Sequence, residues 1–138
     1  MNGWLLDTHI WLWYTEGAED KLKPAPVQRL DDMRLGQGLW VSAVSVWEVG
    51  ILAAKGRVQL SVPLRDWVDR ALHVPGVFLA PLDALSAVES TLLPGQLHAD
   101  PADRFLIATA RTQGMALATR DRPLLDYAKQ GLVSAVAL

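Results

Sequence analysis

Four acidic residues spread along the chain are the first candidates for chemistry. Asp7, Glu48, Asp103 and Asp121 each lie beside the junction of an apolar, strand-like run and a helix-like run. If the fold is a parallel sheet covered by helices, the carboxyl ends of the strands open onto one crevice, and acids at those ends converge there. A pocket of carboxylates is typical of a site that holds a divalent metal ion.

The elements that would position these acids alternate along the chain. Short apolar runs predict strands at about 3–6, 39–42, 77–80, 115–119 and 133–136. Proline near the first turn, glycine after the last turn and apolar periodicity predict helices at about 8–14, 24–35, 43–55, 63–72, 83–93, 100–113 and 122–129. Such alternation is typical of an α/β domain with a largely parallel sheet, here of about five strands. We predict that residues 1–138 form one domain.

Composition narrows the functional classes. With 138 residues and no cysteine, the chain can bury a core without disulfides, and a thiolate zinc site is excluded. The N-terminal segment has no basic region, and Asp7 and His9 interrupt its apolar stretch, so we expect no signal peptide. No apolar run approaches the roughly 18 residues of a membrane span. We therefore expect a cytoplasmic protein with no membrane partner.

Charge limits how nucleic acid could be bound. The formal net charge is −2, which argues against broad electrostatic coating of nucleic acid. Arg104, Arg120 and Arg122 lie beside the acids, and a guanidinium is well suited to phosphate contact. They are equally well explained as ordinary solvated charges, and the sequence leaves both interpretations open.

Helix capping is the competing explanation for the aspartates. Aspartate is a favoured N-cap residue because its side chain accepts from the unpaired amides of the first turn. Asp7 and Asp121 fit that role, and Asp100 fits it better, with Pro101 at N1 and Asp103 at N3. Glu48 is different, because it lies inside an apolar helix with no partner at helical spacing, and an unpaired glutamate is seldom buried.

The predicted first helix is unusually apolar. Its residues 10–14, Ile-Trp-Leu-Trp-Tyr, cover every side of the helix, so one core-facing stripe cannot account for all of them. We expect one face to pack against another chain. Trp11 and Trp13 could also stack on splayed RNA bases, although core or interface packing is the commoner use of such residues.

Four motifs in series resemble the PIN domain family, in particular the VapC toxins of type II toxin–antitoxin systems. The motifs are Leu5-Leu6-Asp7-Thr8-His9, Val41-Ser42-Ala43-Val44-Ser45-Val46-Trp47-Glu48, His98-Ala99-Asp100-Pro101-Ala102-Asp103-Arg104 and Ala118-Thr119-Arg120-Asp121. Their order and spacing match over essentially the whole chain. The resemblance implies a PIN-like α/β/α sandwich and a metal-dependent ribonuclease that hydrolyses RNA phosphodiester bonds.

The resemblance also implies a role for individual residues. Asp7, Glu48, Asp103 and Asp121 match the acids that hold the metal and carry catalysis in the family, and Thr119 matches the hydroxyl residue before the last acid. Carboxylates without sulfur suit Mg²⁺ or Mn²⁺ rather than zinc.

Partners are implied in the same way. The family's toxins form homodimers and bind a small VapB-like antitoxin that covers the catalytic pocket. His9 and His98 are more simply explained as surface or hydrogen-bonding residues. A PIN fold that binds RNA or protein without cleaving remains the alternative function.

Overall fold

The computed structural model describes residues 3–97 and 99–138. Within those residues it contains five strands, β1 (Trp4–Leu6), β2 (Leu39–Ser42), β3 (Val77–Ala80), β4 (Ala116–Thr119) and β5 (Ala135–Ala137). The same residues form seven α-helices, α1 (Thr8–Glu16), α2 (Pro24–Leu35), α3 (Ala43–Ala54), α4 (Leu64–Leu72), α5 (Ala84–Thr91), α6 (Pro101–Gln113) and α7 (Arg122–Lys129). Every predicted element is present, with ends that differ by a few residues.

One difference concerns the last strand. The apolar run 133–136 predicts a strand starting at Val133, whereas β5 begins at Ala135. Val133 is buried in the core instead, packed with Leu117 and Tyr127. The apolar side chain of Val133 therefore indicates that the segment before β5 is buried. It does not indicate that Val133 pairs within the sheet.

The strands form one parallel sheet in the order β3-β2-β1-β4-β5. All four pairings in the described part of the chain are parallel, and Leu6 of β1 lies opposite Ala118 of β4. The strands β2 and β3 extend the sheet on one side of β1, and the later strands β4 and β5 extend it on the other side. The crevice beyond the carboxyl ends of β1 and β4 is thus a topological switch point, where α/β sheets bind ligands.

Helices cover both faces of this sheet. Leu6 points into a cluster with side chains of α1 to α4, including Trp11 and Trp67, while its neighbour Leu5 points into the opposite cluster with α6 and α7. This alternation follows from the strand repeat of two residues. The fold is the α/β/α sandwich with a parallel sheet that the sequence predicts.

The packing of α1 explains most of its apolar side chains within one chain. Ile10, Trp11 and Leu12 are all buried within their own chain, and the ring of Trp11 meets that of Trp67 edge-on at 4.9 Å between centroids. The sheet and the neighbouring helices of the same chain cover these three side chains, so the expectation that one face packs against another chain stays a prediction for the rest of α1. Trp13 and Tyr14 are only half-buried.

No helix in the described residues is long and apolar enough to span a bilayer.

Candidate active site

Asp7 lies at the centre of the switch point. It follows β1, and its backbone amide donates to the carbonyl of Ala118 on β4, 2.9 Å away. Its side chain is 9% exposed. One carboxylate oxygen accepts from the amide of Thr8 at 2.8 Å, and the other accepts from the hydroxyl of Thr119 at 2.6 Å. Burial raises the pKa of Asp7, and these two hydrogen bonds partly offset the rise.

Thr119 joins the first and last acids of the sequence. Its fully buried hydroxyl donates to Asp7 and accepts from the backbone amide of Asp121 at 2.9 Å. Asp121 then caps α7, because its carboxylate accepts from the amide of Leu124 at 3.2 Å. One hydroxyl thus fixes two aspartates that are more than a hundred residues apart in the sequence.

Glu48 reaches the same place from α3. Its carboxylate accepts from the hydroxyl of Thr8 at 2.5 Å. Because Thr8 has a single hydroxyl proton and gives it to Glu48, the hydroxyl of Ser45, 2.8 Å away, donates to Thr8. Burial raises the pKa of Glu48, the Thr8 hydrogen bond opposes the rise, and the charges of Asp100 and Asp7 add to it.

Asp103 is the most perturbed acid of the group. It lies in the first turn of α6, where its amide is capped by the Asp100 carboxylate at 2.9 Å. Burial, reinforced by the negative charges of Asp100, Asp7, Asp121 and Glu48, raises the pKa of Asp103 from 3.8 to about 8. The carboxyl group therefore releases its proton less readily than a free aspartate does. The dependence on all four neighbours means that the predicted site acids share one electrostatic field.

The four acids lie near one another, but they do not form a complete metal-binding site. Within residues 3–97 and 99–138, no three acidic, histidine or cysteine side chains are close enough to enclose an ion as they stand. Asp7 and Glu48 direct carboxylate oxygens at hydroxyl donors, and Asp121 directs one at a backbone amide. Carboxylates that repel one another are expected to adopt such bonds until a cation compensates their charge.

Capping and chemistry are compatible at the aspartates. The sequence left these as alternatives, and the structure shows capping by Asp7, Asp100 and Asp121. The same cap geometry fixes Asp7 and Asp121 at the ends of adjacent strands, with their carboxyl groups at the crevice. The site thus uses helix starts, where backbone amides already stabilise negative charge.

Thr8 and Ser45 adjoin the candidate site without being predicted from the sequence. Both are buried hydroxyl residues, and they supply the partner for Glu48 that helical spacing does not. The only sequence signal is a hydroxyl residue directly after Asp7 and another three residues before Glu48. His9 is exposed and lines a pocket with Asp7 and Asp121, whereas His98 lies outside the described residues.

The chain is similar to proteins of a known family. A family model described as PIN domain matches residues 4–130. The chain belongs to the PIN domain family.

A curated PIN-family relative and two solved structures extend the comparison. Ribonuclease VapC22 of Mycobacterium tuberculosis is 36% identical over 124 residues, which cover 89% of this chain and 90% of that protein. The structure of VapBC2 from Rickettsia felis bound to a promoter DNA fragment superposes with a TM-score of 0.71 at 12% identity, over 99% of this chain and 98% of that one. DNA-bound VapBC from Salmonella typhimurium gives 0.68 at 15% identity, with the same coverages. At such identities the two structures support the PIN fold alone.

Proposed function

We propose that this PIN domain is the endoribonuclease toxin of a toxin–antitoxin pair and that it hydrolyses RNA phosphodiester bonds in the cytoplasm. The observation that carries the proposal is the Thr119 hydroxyl, which ties Asp7 to Asp121 at the switch point while Glu48 and Asp103 approach from α3 and α6. Similarity to a protein named as a ribonuclease, over nearly the full length of both chains, supports the same reaction. The proposal treats residues 1–138 as one domain.

A divalent cation, Mg²⁺ or Mn²⁺, fits the donors of this site. The four candidate ligands Asp7, Glu48, Asp103 and Asp121 offer only carboxylate oxygens, which these hard cations prefer. Burial is the largest cause of the raised pKa values of Asp7, Glu48 and Asp103, and the charges of neighbouring acids add to it, so a divalent ion would stabilise the ionised carboxylates. When bound, the ion supplies Lewis-acid activation of water and stabilises the charge on the leaving oxygen.

The protein side chains have separate tasks in this proposal. Asp7 and Asp121, held rigidly by Thr119, act as the principal ligands. Glu48 and Asp103 lie near enough to Asp7 to interact with its charge, and either could orient the attacking water and accept its proton. Asp103 can take this role only in its ionised form, which the charge of a bound cation would favour.

Cleavage of RNA tests the proposal. We expect structured and single-stranded RNAs to be cut with Mg²⁺ or Mn²⁺ and left intact in EDTA. Asp7→Asn is expected to reduce the rate at least about 100-fold, since the amide keeps the cap but loses the charge. Asp126→Asn, the same exchange at an exposed position on α7, is the control and should cut at the wild-type rate. RNA binding without metal-dependent and Asp7-dependent cutting would instead favour the alternative, a PIN fold that only binds.

A small VapB-like antitoxin is the proposed protein partner. An apolar groove of about 610 Å³ runs along α1 and α2, and it is walled by Trp13, Tyr14, Leu22 and Val27. Trp13 also lines the pocket at the acids, so a segment lying in this groove would lead directly to the active site. The VapBC complexes among the structural neighbours support a partner of this kind. Co-purification of the small protein encoded next to this chain tests the pairing, and Val27→Asp should weaken it.

A homodimer is proposed from the surface of α5. This helix buries Ser86 and Ser90, and Ser86 hydrogen-bonds Thr112 of α6 at 2.8 Å. Its apolar residues face outward instead, with Leu85 57%, Val88 54% and the adjoining Leu92 65% exposed. A helix with its polar side inward and an apolar stripe outward is expected to be covered by protein. A second copy of this chain, presenting the same stripe, would form an isologous contact.

Light scattering on the purified toxin measures this directly. We expect twice the chain mass for the wild type and one chain mass for Leu85→Asp. Leu35→Asp is the matched control, because Leu35 is 73% exposed but lies at the end of α2, outside the stripe. A wild-type monomer at micromolar concentration would contradict the proposed dimer.

A further inference from the structure

A second feature of the crevice is a pocket that shares its wall with the acids. It has a volume of about 360 Å³, and its lining residues are Asp7, His9, Ile10, Trp13, Arg120 and Asp121. The volume lies at the small end of the range for ligand pockets, which begins at about 300 Å³. Two of the lining residues are proposed metal ligands, so whatever occupies this pocket touches the reaction centre.

Two aromatic rings line this pocket from one side of α1. His9 and Trp13 are four residues apart on the helix and therefore lie on the same face. Their ring centroids are 5.5 Å apart, with the planes tilted by 49°. His9 is exposed and Trp13 is half-buried, so the pair is anchored at one end and open at the other. Such a surface suits the flat face of a nucleobase.

Arg120 completes the pocket and is held in place by two contacts. Its guanidinium carbon lies 4.6 Å from the centroid of the Trp13 ring, and its Nη1 donates to the backbone carbonyl of Lys21. Although it precedes Asp121 directly, Arg120 takes part in none of the ion pairs found in residues 3–97 and 99–138. Its charge is therefore fixed beside the acids without a carboxylate to neutralise it.

A guanidinium in this state can serve two parts of one ligand. Its plane stacks on bases, and its edge donates to phosphate oxygens. The neighbouring acids would repel a phosphate, and Arg120 is the lining residue that offsets this repulsion with a fixed positive charge. Because stacking requires an unpaired base, the pocket suits single-stranded RNA.

We propose that His9, Trp13 and Arg120 form a subsite for the nucleotide directly next to the scissile phosphate of single-stranded RNA. The base lies against the aromatic and guanidinium faces, and Arg120 contacts the phosphate of that nucleotide. The inference rests on the proposed ribonuclease function, and it adds the residues that recognise a nucleotide of the substrate. It assigns a nucleotide preference to three residues that are not candidate metal ligands.

Mononucleotide binding tests the subsite without any cleavage. The probes are 5′-UMP, 5′-CMP, 5′-AMP and 5′-GMP, with ribose 5-phosphate as the ligand that lacks a base. In nitrogen-15 NMR spectra with Mg²⁺ present, at least one mononucleotide should shift the His9 ring and Trp13 indole signals. Ribose 5-phosphate should bind about tenfold more weakly, since stacking contributes that much per base.

Two arginine variants distinguish binding in this pocket from non-specific attraction of anions. Arg120→Ala should weaken mononucleotide binding about tenfold. Arg29→Ala is the matched control, because Arg29 also lies over a tryptophan, Trp4 at 5.7 Å, and also donates to a backbone carbonyl, that of Ala137. Arg29 lines a different pocket, which contains none of the four site acids, so its loss should change nothing. The absence of shifts at about 10 mM mononucleotide, or equal weakening by both variants, would overturn the subsite.

Cleavage of an RNA with a randomised single-stranded segment provides the second readout. Arg120→Ala should raise KM about tenfold, leave kcat within about threefold and flatten the nucleotide preference beside the cut. If the wild type cuts no RNA, the ribonuclease proposal fails while the mononucleotide titration still decides on the subsite. If Arg120→Ala keeps the wild-type preference and KM but releases a co-purifying antitoxin, the residue belongs to the antitoxin surface and the inference is wrong.

Discussion

Replacing Asp103 with asparagine should stabilise the metal-free protein and at the same time remove a candidate metal ligand. The carboxyl group is partly buried, and four other acids, Asp100, Asp7, Asp121 and Glu48, act on it. A neutral amide of the same shape removes this repulsion, while the backbone amide of residue 103 keeps its cap from Asp100. Most point substitutions destabilise a protein, so the sign of the effect is informative.

The magnitude follows from the pKa of Asp103, which is raised from 3.8 to about 8. Between these values the folded protein binds a proton that the unfolded chain has released, so this group's contribution to stability is complete below about pH 4 and is lost as the pH rises to about 8. At about 1.4 kcal/mol per pKa unit, the interval sets a ceiling of about 6 kcal/mol. Solvent screening of this partly exposed group reduces the expected gain from Asp103→Asn to about 1–2 kcal/mol at pH 8.

Thermal unfolding in EDTA, followed by circular dichroism, measures the gain. At pH 8 the melting temperature of Asp103→Asn should exceed that of the wild type by about 3–8 °C, and at pH 5 by less. Asp126→Asn is the control, since Asp126 is exposed on α7 beside Lys129 at 3.7 Å, and a change within about 0.5 kcal/mol is expected. A variant that is less stable at pH 8, or equally affected at both pH values, would refute the raised pKa of Asp103.

Three further predictions concern the hydroxyl bridges and the metal. Thr119→Val should lower the free energy of unfolding by about 1–3 kcal/mol in urea titrations and reduce RNA cleavage, because two hydrogen bonds lose their common partner, whereas Thr119→Ser should retain both properties. Thr8→Val should lower kcat about tenfold and shift the acidic limb of the pH–rate profile to higher pH, because the Thr8 hydrogen bond lowers the pKa of Glu48. An unchanged profile would show that Thr8 does not act in the site. Mn²⁺ at about ten times its Kd should raise the wild-type melting temperature by about 3–6 °C and that of Asp121→Asn by less. If neither melting temperature changes, the metal site is not formed.

The layered fold could be predicted because its elements carry local signals. Pro24 opens α2 and Gly114 closes α6, as proline and glycine do at helix ends, and the buried strands read as short apolar runs. Alternation of these elements then predicts a parallel sheet, and a parallel sheet places the residues after β1 and β4 side by side. That reasoning was sufficient to bring Asp7 and Asp121 together.

Contacts between distant elements could not be predicted in the same way. Glu48 has no partner at helical spacing, because its partner is Thr8 on another helix, 40 residues away. The inverted burial of α5 places Ser86 in a hydrogen bond with Thr112, 26 residues away. The stacking of Arg120 on Trp13 joins the loop after β4 to α1. Each of these features is a property of the assembled sandwich, so no single segment of sequence encodes it.

Anomalous diffraction from crystals grown with Mn²⁺ tests most directly whether the converging acids bind a catalytic cation. We predict a manganese peak bonded to carboxylate oxygens of Asp7 and Asp121, with Glu48 or Asp103 completing the protein ligands, and no such peak in crystals of Asp7→Asn. A fully occupied manganese ion held by other residues, or an empty crevice at saturating Mn²⁺, would contradict the proposed active site.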